Sequence, residues 1–236
     1  TYAHNFNFTG GTTPVTTVSG TLANGQNGGS GVPTITSGTA TLVFTASGTY
    51  KHNFTTSNGT IPTATWNASS NCNIVGYTAS NMVPSGLAQT FGNFTWNCTG
   101  QGTNNYNLAL SSTTFNVAGT FSVLSTGTTG SLRLSGTGSY SANVGSVVVS
   151  GGILDLQSGA SGTPSLNISG ALTQSAPGEL KSTATSSGNP TLHFNGTINQ
   201  TVTFATQPTG PITFRVSNPA GITLNASFST FTFGNG

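Results

Sequence analysis

Phe115-Asn116-Val117-Ala118-Gly119-Thr120-Phe121 is a short phrase of apolar, any, apolar, small or polar, Gly, small, apolar residues. Copies stand at Val147-Val148-Val149-Ser150-Gly151-Gly152-Ile153, Leu166-Asn167-Ile168-Ser169-Gly170-Ala171-Leu172 and Leu192-His193-Phe194-Asn195-Gly196-Thr197-Ile198. Alternation with period two puts one set of side chains on one face of a strand. Glycine serves where the chain bends or backbones crowd. Each copy therefore reads as a strand, a glycine corner and the start of the next strand, stacked on its neighbours. The corners on this reading are Gly119, Gly151, Gly170 and Gly196, with weaker copies ending at Gly76 and Gly100. A fixed phrase at uneven intervals, in the 20–50-residue range of repeat architectures, predicts an all-β fold. The expectation is a right-handed parallel β-solenoid, or β-helix, with variable loops on one edge.

Composition supports order without charge. Only 3% of the 236 residues are charged, against roughly 25% in ordinary domains. Disordered chains of low hydrophobicity lack aromatics, whereas this one carries 14 Phe. Ser, Thr and Asn at outward positions of a stack can bond to their copies above and below, so solubility does not require charge. Lys51, Arg133, Lys181 and Arg215 are scattered, which argues against a nucleic-acid surface. No apolar run reaches the length of a membrane helix. The chain begins at Thr1 and reads as a processed protein or a piece of something longer.

No segment keeps helical periodicity, and no linker divides the chain, so residues 1–236 are expected to form a single solenoid domain. Residues 23–33 read as a loop by composition. Residues 51–70, which include Lys51-His52-Asn53-Phe54 and Ile61-Pro62, depart from the phrase and predict an excursion packed against the stack. Residues 87–100 are dense in aromatics and predict core strands. The C-terminal part alternates again, ending in Phe228-Ser229-Thr230-Phe231-Thr232-Phe233.

A second repeated element, Leu132-Arg133-Leu134, Leu154-Asp155-Leu156 and Glu179-Leu180-Lys181, reads as another strand of each coil. Aligning Leu132, Leu154 and Leu180 gathers Arg133, Asp155 and Lys181, with Glu179 beside them, into one lateral column. That column is either an exposed ladder of cross-strand ion pairs or a ligand site. Aligning the phrases around Cys72 and Cys98 puts the two cysteines on one face, two places apart, as a disulfide or as two buried thiols. Gln174 and Gln200, each four residues past a corner, could form an amide ladder.

Chemistry is sparse. A glycosidase pair needs two carboxyl groups, and Asp155 and Glu179 are the only acidic residues. Each sits beside a base, so no enzyme is expected. His4, His52 and His193 lie in separate segments without ligand spacing, so neither a metal nor a cofactor is expected. Trp66 is the candidate for stacking on a sugar, or else a staple for the 51–70 excursion. Ten Asn-x-Ser/Thr triplets are read as a product of composition.

Four segments together, Ile61–Asn67, Cys72–Gly76, Gln89–Cys98 and Phe194–Val202, resemble repetitive surface proteins of Bacteroidota. These are adhesin-like chains commonly exported by type IX secretion. The resemblance implies a β-solenoid at the cell surface or outside the cell, with a role in adhesion or in building a layer or fibre. It carries no active-site residue. The expected function is a stiff structural or adhesive rod that associates end to end or continues in a longer chain. The alternatives are a carbohydrate-binding module for surface glycans and an ice-binding solenoid. Ice binding would require outward Thr-x-Thr pairs recurring at coil spacing; Thr201-Val202-Thr203 and Thr183-Ala184-Thr185 are such pairs, but they do not recur at that spacing.

Overall fold

The computed structural model describes residues 6–7, 14–26, 32–36, 40–79, 83–108, 115–185 and 189–226. Every strand pairing among them is parallel. The one helical segment among the described residues is a single 3-10 turn at Thr99–Gln101. The chain winds as a parallel β-solenoid whose coils each run through three faces.

Face one carries Val15–Val18, Thr41–Phe44, Thr65–Trp66, Thr90–Phe91, the first part of Phe115–Ser125, the first part of Ser141–Val149, Ser165–Ile168, Thr191–Phe194 and Thr213–Val216. Face two carries Thr21–Gly25, Thr49–Asn53, Asn71–Ile74, Asn93–Asn97, the second parts of those same two long strands, Leu172–Gln174, Gln200–Phe204 and Ile222–Ala226. Face three is shorter and holds Tyr106–Asn107, Leu132–Ser135, Ile153–Gln157 and Glu179–Lys181. The pair Phe6–Asn7 with Ile35–Thr36 and the bridge Thr60↔Ser85 stand at the matching place in earlier coils.

Like positions stack on like positions, because neighbouring strands lie about 4.8 Å apart. One inward column on face two runs Leu22, Tyr50, Cys72, Phe94, Phe121, Val147, Leu172, Val202 and Leu224. The next runs Asn24, His52, Ile74, Trp96, Val123, Val149, Gln174 and Phe204. Face one adds Phe115, Ala142, Leu166, Leu192 and Phe214, and face three adds Tyr106, Leu132, Leu154 and Leu180. These columns meet in one core. Its N-terminal half is aromatic, with Phe44 stacked on Trp66 at 4.2 Å and Tyr77 on Tyr106 at 5.5 Å. Its C-terminal half is mostly aliphatic, with Phe194 and Phe204 buried among Leu, Val and Ile.

The repeated phrase marks two different bends. Phe115–Phe121, Leu166–Leu172 and Leu192–Ile198 cross from face one to face two. Val147–Ile153 and the phrases ending at Gly76 and Gly100 cross from face two to face three. Gly151 is therefore not the counterpart of Gly119. The glycine that is, Gly145, lies inside Ser141–Val149. With it the first-bend series becomes Gly92, Gly119, Gly145, Gly170 and Gly196, at steps of 27, 26, 25 and 26 residues. The uneven intervals seen in the sequence came from mixing the two bends. A Cβ on Gly145 would stand 2.4 Å from the Gly119 carbonyl oxygen, and one on Gly92 would stand 2.1 Å from that of Asn67. The bend is thus glycine because backbone of adjacent coils meets there.

Two segments behave otherwise than expected. Residues 51–70 form an ordinary coil, in which His52 pairs with Ile74, Thr60 bridges Ser85 and Trp66 pairs with Phe44. The composition-based loop at 23–33 overlaps a strand, Thr21–Gly25, in register with Thr49–Asn53. Residues 87–100 are core strands, with Phe91, Phe94, Trp96 and Cys98 fully buried. The Phe228–Phe233 alternation lies outside the described residues.

Candidate functional site

The outward side of face one carries an amide ladder. Asn116, Asn143, Asn167, His193 and Arg215 occupy one register column. Asn143 Nδ2 donates to Asn116 Oδ1 at 3.0 Å, and Asn167 Nδ2 donates to Asn143 Oδ1 at 2.9 Å. Asn167 Oδ1 lies 3.1 Å from His193 Nδ1, and Asn116 Nδ2 reaches Thr90 Oγ1 at 3.4 Å. The ladder exists because strand side chains repeat at the coil spacing, which matches the reach of an amide. Partial burial, and then the Arg215 guanidinium next in the column, hold the His193 imidazole below its ordinary value. An open groove of about 230 Å³ runs beside this ladder along the first bend.

Glutamine works differently here. Gln174 and Gln200 are buried and out of register with each other, since Gln174 pairs with Phe204. They brace bends from inside. Gln200 Nε2 donates to the Ile168 and Gly170 carbonyls at 2.8 and 2.7 Å, and its Oε1 accepts from Gly196 N at 2.9 Å. Gln101 accepts from Trp96 Nε1 at 2.9 Å and donates to the Ser131 carbonyl at 3.1 Å. The amide ladder is therefore in the Asn column, and the glutamines are staples between coils.

On face three, Leu132, Leu154 and Leu180 align as expected, so Arg133, Asp155 and Lys181 share a column. The column is not an exposed ladder. Asp155 is fully buried, with Oδ2 accepting from Arg133 Nε at 3.3 Å and from Thr183 Oγ1 at 2.6 Å, while Oδ1 accepts from Thr183 N at 3.0 Å. Lys181 instead approaches Glu179 of its own strand at 3.9 Å. With both oxygens engaged and no exposure, Asp155 does not present a carboxylate to a substrate beside Glu179. An Asp155→Asn variant cannot accept all three bonds and loses its charge. The expected cost is about 3 kcal/mol, the lower end for breaking a buried pair because Arg133 keeps some water. Urea titration of the variant against the native chain at pH 7 measures it.

Cys72 and Cys98 are free and buried. Cys72 pairs with Phe94, so Cys98 lies four residues further along the neighbouring strand, on the order of 13 Å away by strand rise. The expected alignment was slipped by two residues, and the disulfide does not form. Burial raises both thiols, Cys98 to about 12. Trp66 is buried against Phe44 and Phe91, and its Nε1 donates to Gln89 Oε1 at 3.0 Å. It is a core residue and offers no stacking platform.

His52, unremarkable in the sequence, sits in the core between Tyr50 and Tyr77. Its Nε2 lies 2.9 Å from the Asn58 carbonyl, which can only accept, so Nε2 carries the proton and Nδ1 faces the Tyr50 hydroxyl at 3.2 Å. Burial, opposed by the Asn58 bond, pushes its pKa down to about 4. Between pH 6.5 and 4 the unfolded chain takes up a proton that the folded one refuses. The stability contributed by neutral His52 is thus full above pH 6.5 and falls by about 3 kcal/mol as pH drops to 4. Urea unfolding at pH 7.5 and pH 4 reads this loss, and a His52→Gln variant is expected to flatten the slope.

Outward pairs on face two stack at coil spacing: Thr21 and Ala23, Thr49 and Lys51, Asn71 and Asn73, Asn93 and Thr95, Thr120 and Ser122, Ser146 and Val148, Ala171 and Thr173, Thr201 and Thr203, Thr223 and Asn225. Thr-x-Thr itself fills only one of these pairs, so no threonine array forms. Among the described residues no group of three His, Cys, Asp or Glu could hold a metal ion. None of their helices is long and apolar enough to cross a membrane. No family model matches the chain, and no match was found with a curated protein or a solved structure.

Proposed function

We propose that the chain is an extracellular structural and adhesive element of a bacterial surface, a stiff solenoid rod like those of the Bacteroidota surface proteins its sequence resembles. The observation that carries this reading is the unbroken parallel ladder of face two, from Thr21–Gly25 to Ile222–Ala226, in which each coil is hydrogen-bonded to the next. A stack tied together by ladders, inward aromatics and glutamine staples resists bending. Its outer columns, mostly Asn, Thr and Ser with few charges, offer hydrogen bonds along the rod. Among the described residues Thr213–Val216 and Ile222–Ala226 each pair on one side only, and an unpaired edge is a template for a further coil or a second copy. Continuation of the stack, in this chain or between copies, follows from that edge.

Immunogold labelling of intact, unpermeabilised cells with antibody to this chain tests the location. Electron microscopy of the same material tests the rod. Surface label on elongated projections, together with reduced attachment of cells lacking the chain, is the expected result. Label confined to permeabilised cells would sink the proposal.

A further inference from the structure

We infer that the groove along the first bend binds a segment of a neutral linear polysaccharide. One side of the groove is the ladder Asn116, Asn143 and Asn167. The next position in each coil holds Ala118, Gly145, Ser169 and Asn195. The absence of bulk at Ala118 and Gly145 opens the trough, and Thr90 and Asn195 stand at its two ends. Three coil steps separate Thr90 from Asn167, about 14 Å by strand spacing, which suits an extended chain lying parallel to the rod axis.

The chemistry selects hydroxyl groups. An amide has two N–H donors and two acceptor lone pairs. Within the ladder Asn143 uses one N–H on Asn116 and one lone pair for Asn167. One donor and one acceptor remain on Asn116 and on Asn143, and one donor on Asn167, whose Oδ1 also accepts from Ser165 Oγ at 2.8 Å and faces His193; a sugar hydroxyl both accepts and donates. The ladder also fixes the amide rotamers before a ligand arrives, so little side-chain ordering is left for binding. No charged residue lines the trough, so an anionic chain finds no counter-charge there. A peptide strand finds no free sheet edge either, because the flanking strands are paired on both sides.

This site deepens the adhesive reading and rests on it only for its biological meaning. The test uses the purified chain with hexasaccharides of β-glucan, mannan and galactan, and a sulfated heparin hexasaccharide as the charged comparator. NMR of the assigned side-chain amides is the readout. At least one neutral hexasaccharide should shift the Asn116, Asn143 and Asn167 amide signals saturably. Filling the trough at its exposed positions, by Ala118→Phe or separately Ser169→Tyr, should weaken that binding at least tenfold while leaving the unfolding midpoint in place. Three outcomes overturn the site: no neutral sugar moves those signals, heparin alone binds, or a folded filled variant binds as the native chain does. Binding by a chain that never reaches the cell surface would uphold the groove and overturn adhesion. Undiminished attachment of cells carrying Ala118→Phe would retain adhesion and remove the groove from it.

Discussion

A Trp96→Ala chain should lose about 4 kcal/mol of stability, the range for truncating a large buried aromatic. Trp96 is fully buried on face two, stacked in its column between Ile74 and Val123. Its ring lies 5.6 Å from both Tyr77 and Tyr106, so it joins face two to the side of the coil where Tyr106 starts face three. Truncation leaves a cavity that neighbours held by ladders on both sides cannot close. It also removes the donor for Gln101 Oε1, a buried acceptor whose loss of partner adds to the cost. The same deletion at Val148, an outward position on face two, should change little. Equilibrium urea unfolding followed by tryptophan-independent circular dichroism compares the two. Equal effects at Trp96 and Val148 would contradict the assigned inward and outward faces.

Gly145→Val should cost about 3 kcal/mol or more, at the upper end for forcing bulk into a packed site. The new Cβ would meet the carbonyl oxygens of Gly119 and Ala118 at 2.4 and 2.5 Å, and both belong to backbone held in the neighbouring coil. Relief requires the two coils to separate at the bend, which breaks ladder bonds on either side of it. Gly20→Ala is the control, because nothing lies within 4 Å of a Cβ placed there. Its expected change is within about 0.5 kcal/mol, typical of an unencumbered surface site. Differential scanning calorimetry of the two variants is sufficient. A neutral Gly145→Val would show that the first bend does not bring Gly119 and Gly145 together.

These two residues also show where sequence reading succeeded and where it stopped. The apolar alternation of Phe115–Phe121 identified inward positions correctly, because burial of every second residue leaves a period that composition cannot hide. Leu132, Leu154 and Leu180 aligned for the same reason and carried Arg133, Asp155 and Lys181 with them. Depth was not legible: an outward Asp on a strand looks exposed until Thr183 of a later coil is seen to cover it. Gly145 was missed because the bend inside Ser141–Val149 is one residue shorter than that inside Phe115–Ser125, so its glycine follows Val144 directly and falls outside the spacing of the phrase. The cysteine register failed because the glycines Gly76 and Gly100 do not stack on each other within one bend, and a two-residue slip keeps the alternation intact while moving every cross-coil partner. The Asn ladder was invisible for a related reason. Outward positions tolerate many polar residues, so only the true coil length reveals that three of them are Asn in line. A regular 25–27-residue step between glycines would have found it.

The central claim is the stacking register, since the core, the ladder and the groove all follow from it. Spin labels on unnatural residues at Lys51, Thr173 and Asn225, exposed members of one outward column on face two, test it by pulsed electron resonance. Five coil steps separate Lys51 from Thr173 and seven separate Lys51 from Asn225, or about 24 and about 34 Å at the strand spacing. The account predicts two narrow distributions whose means differ by about 10 Å. Broad distributions, or a Lys51–Asn225 distance no longer than that from Lys51 to Thr173, would contradict it.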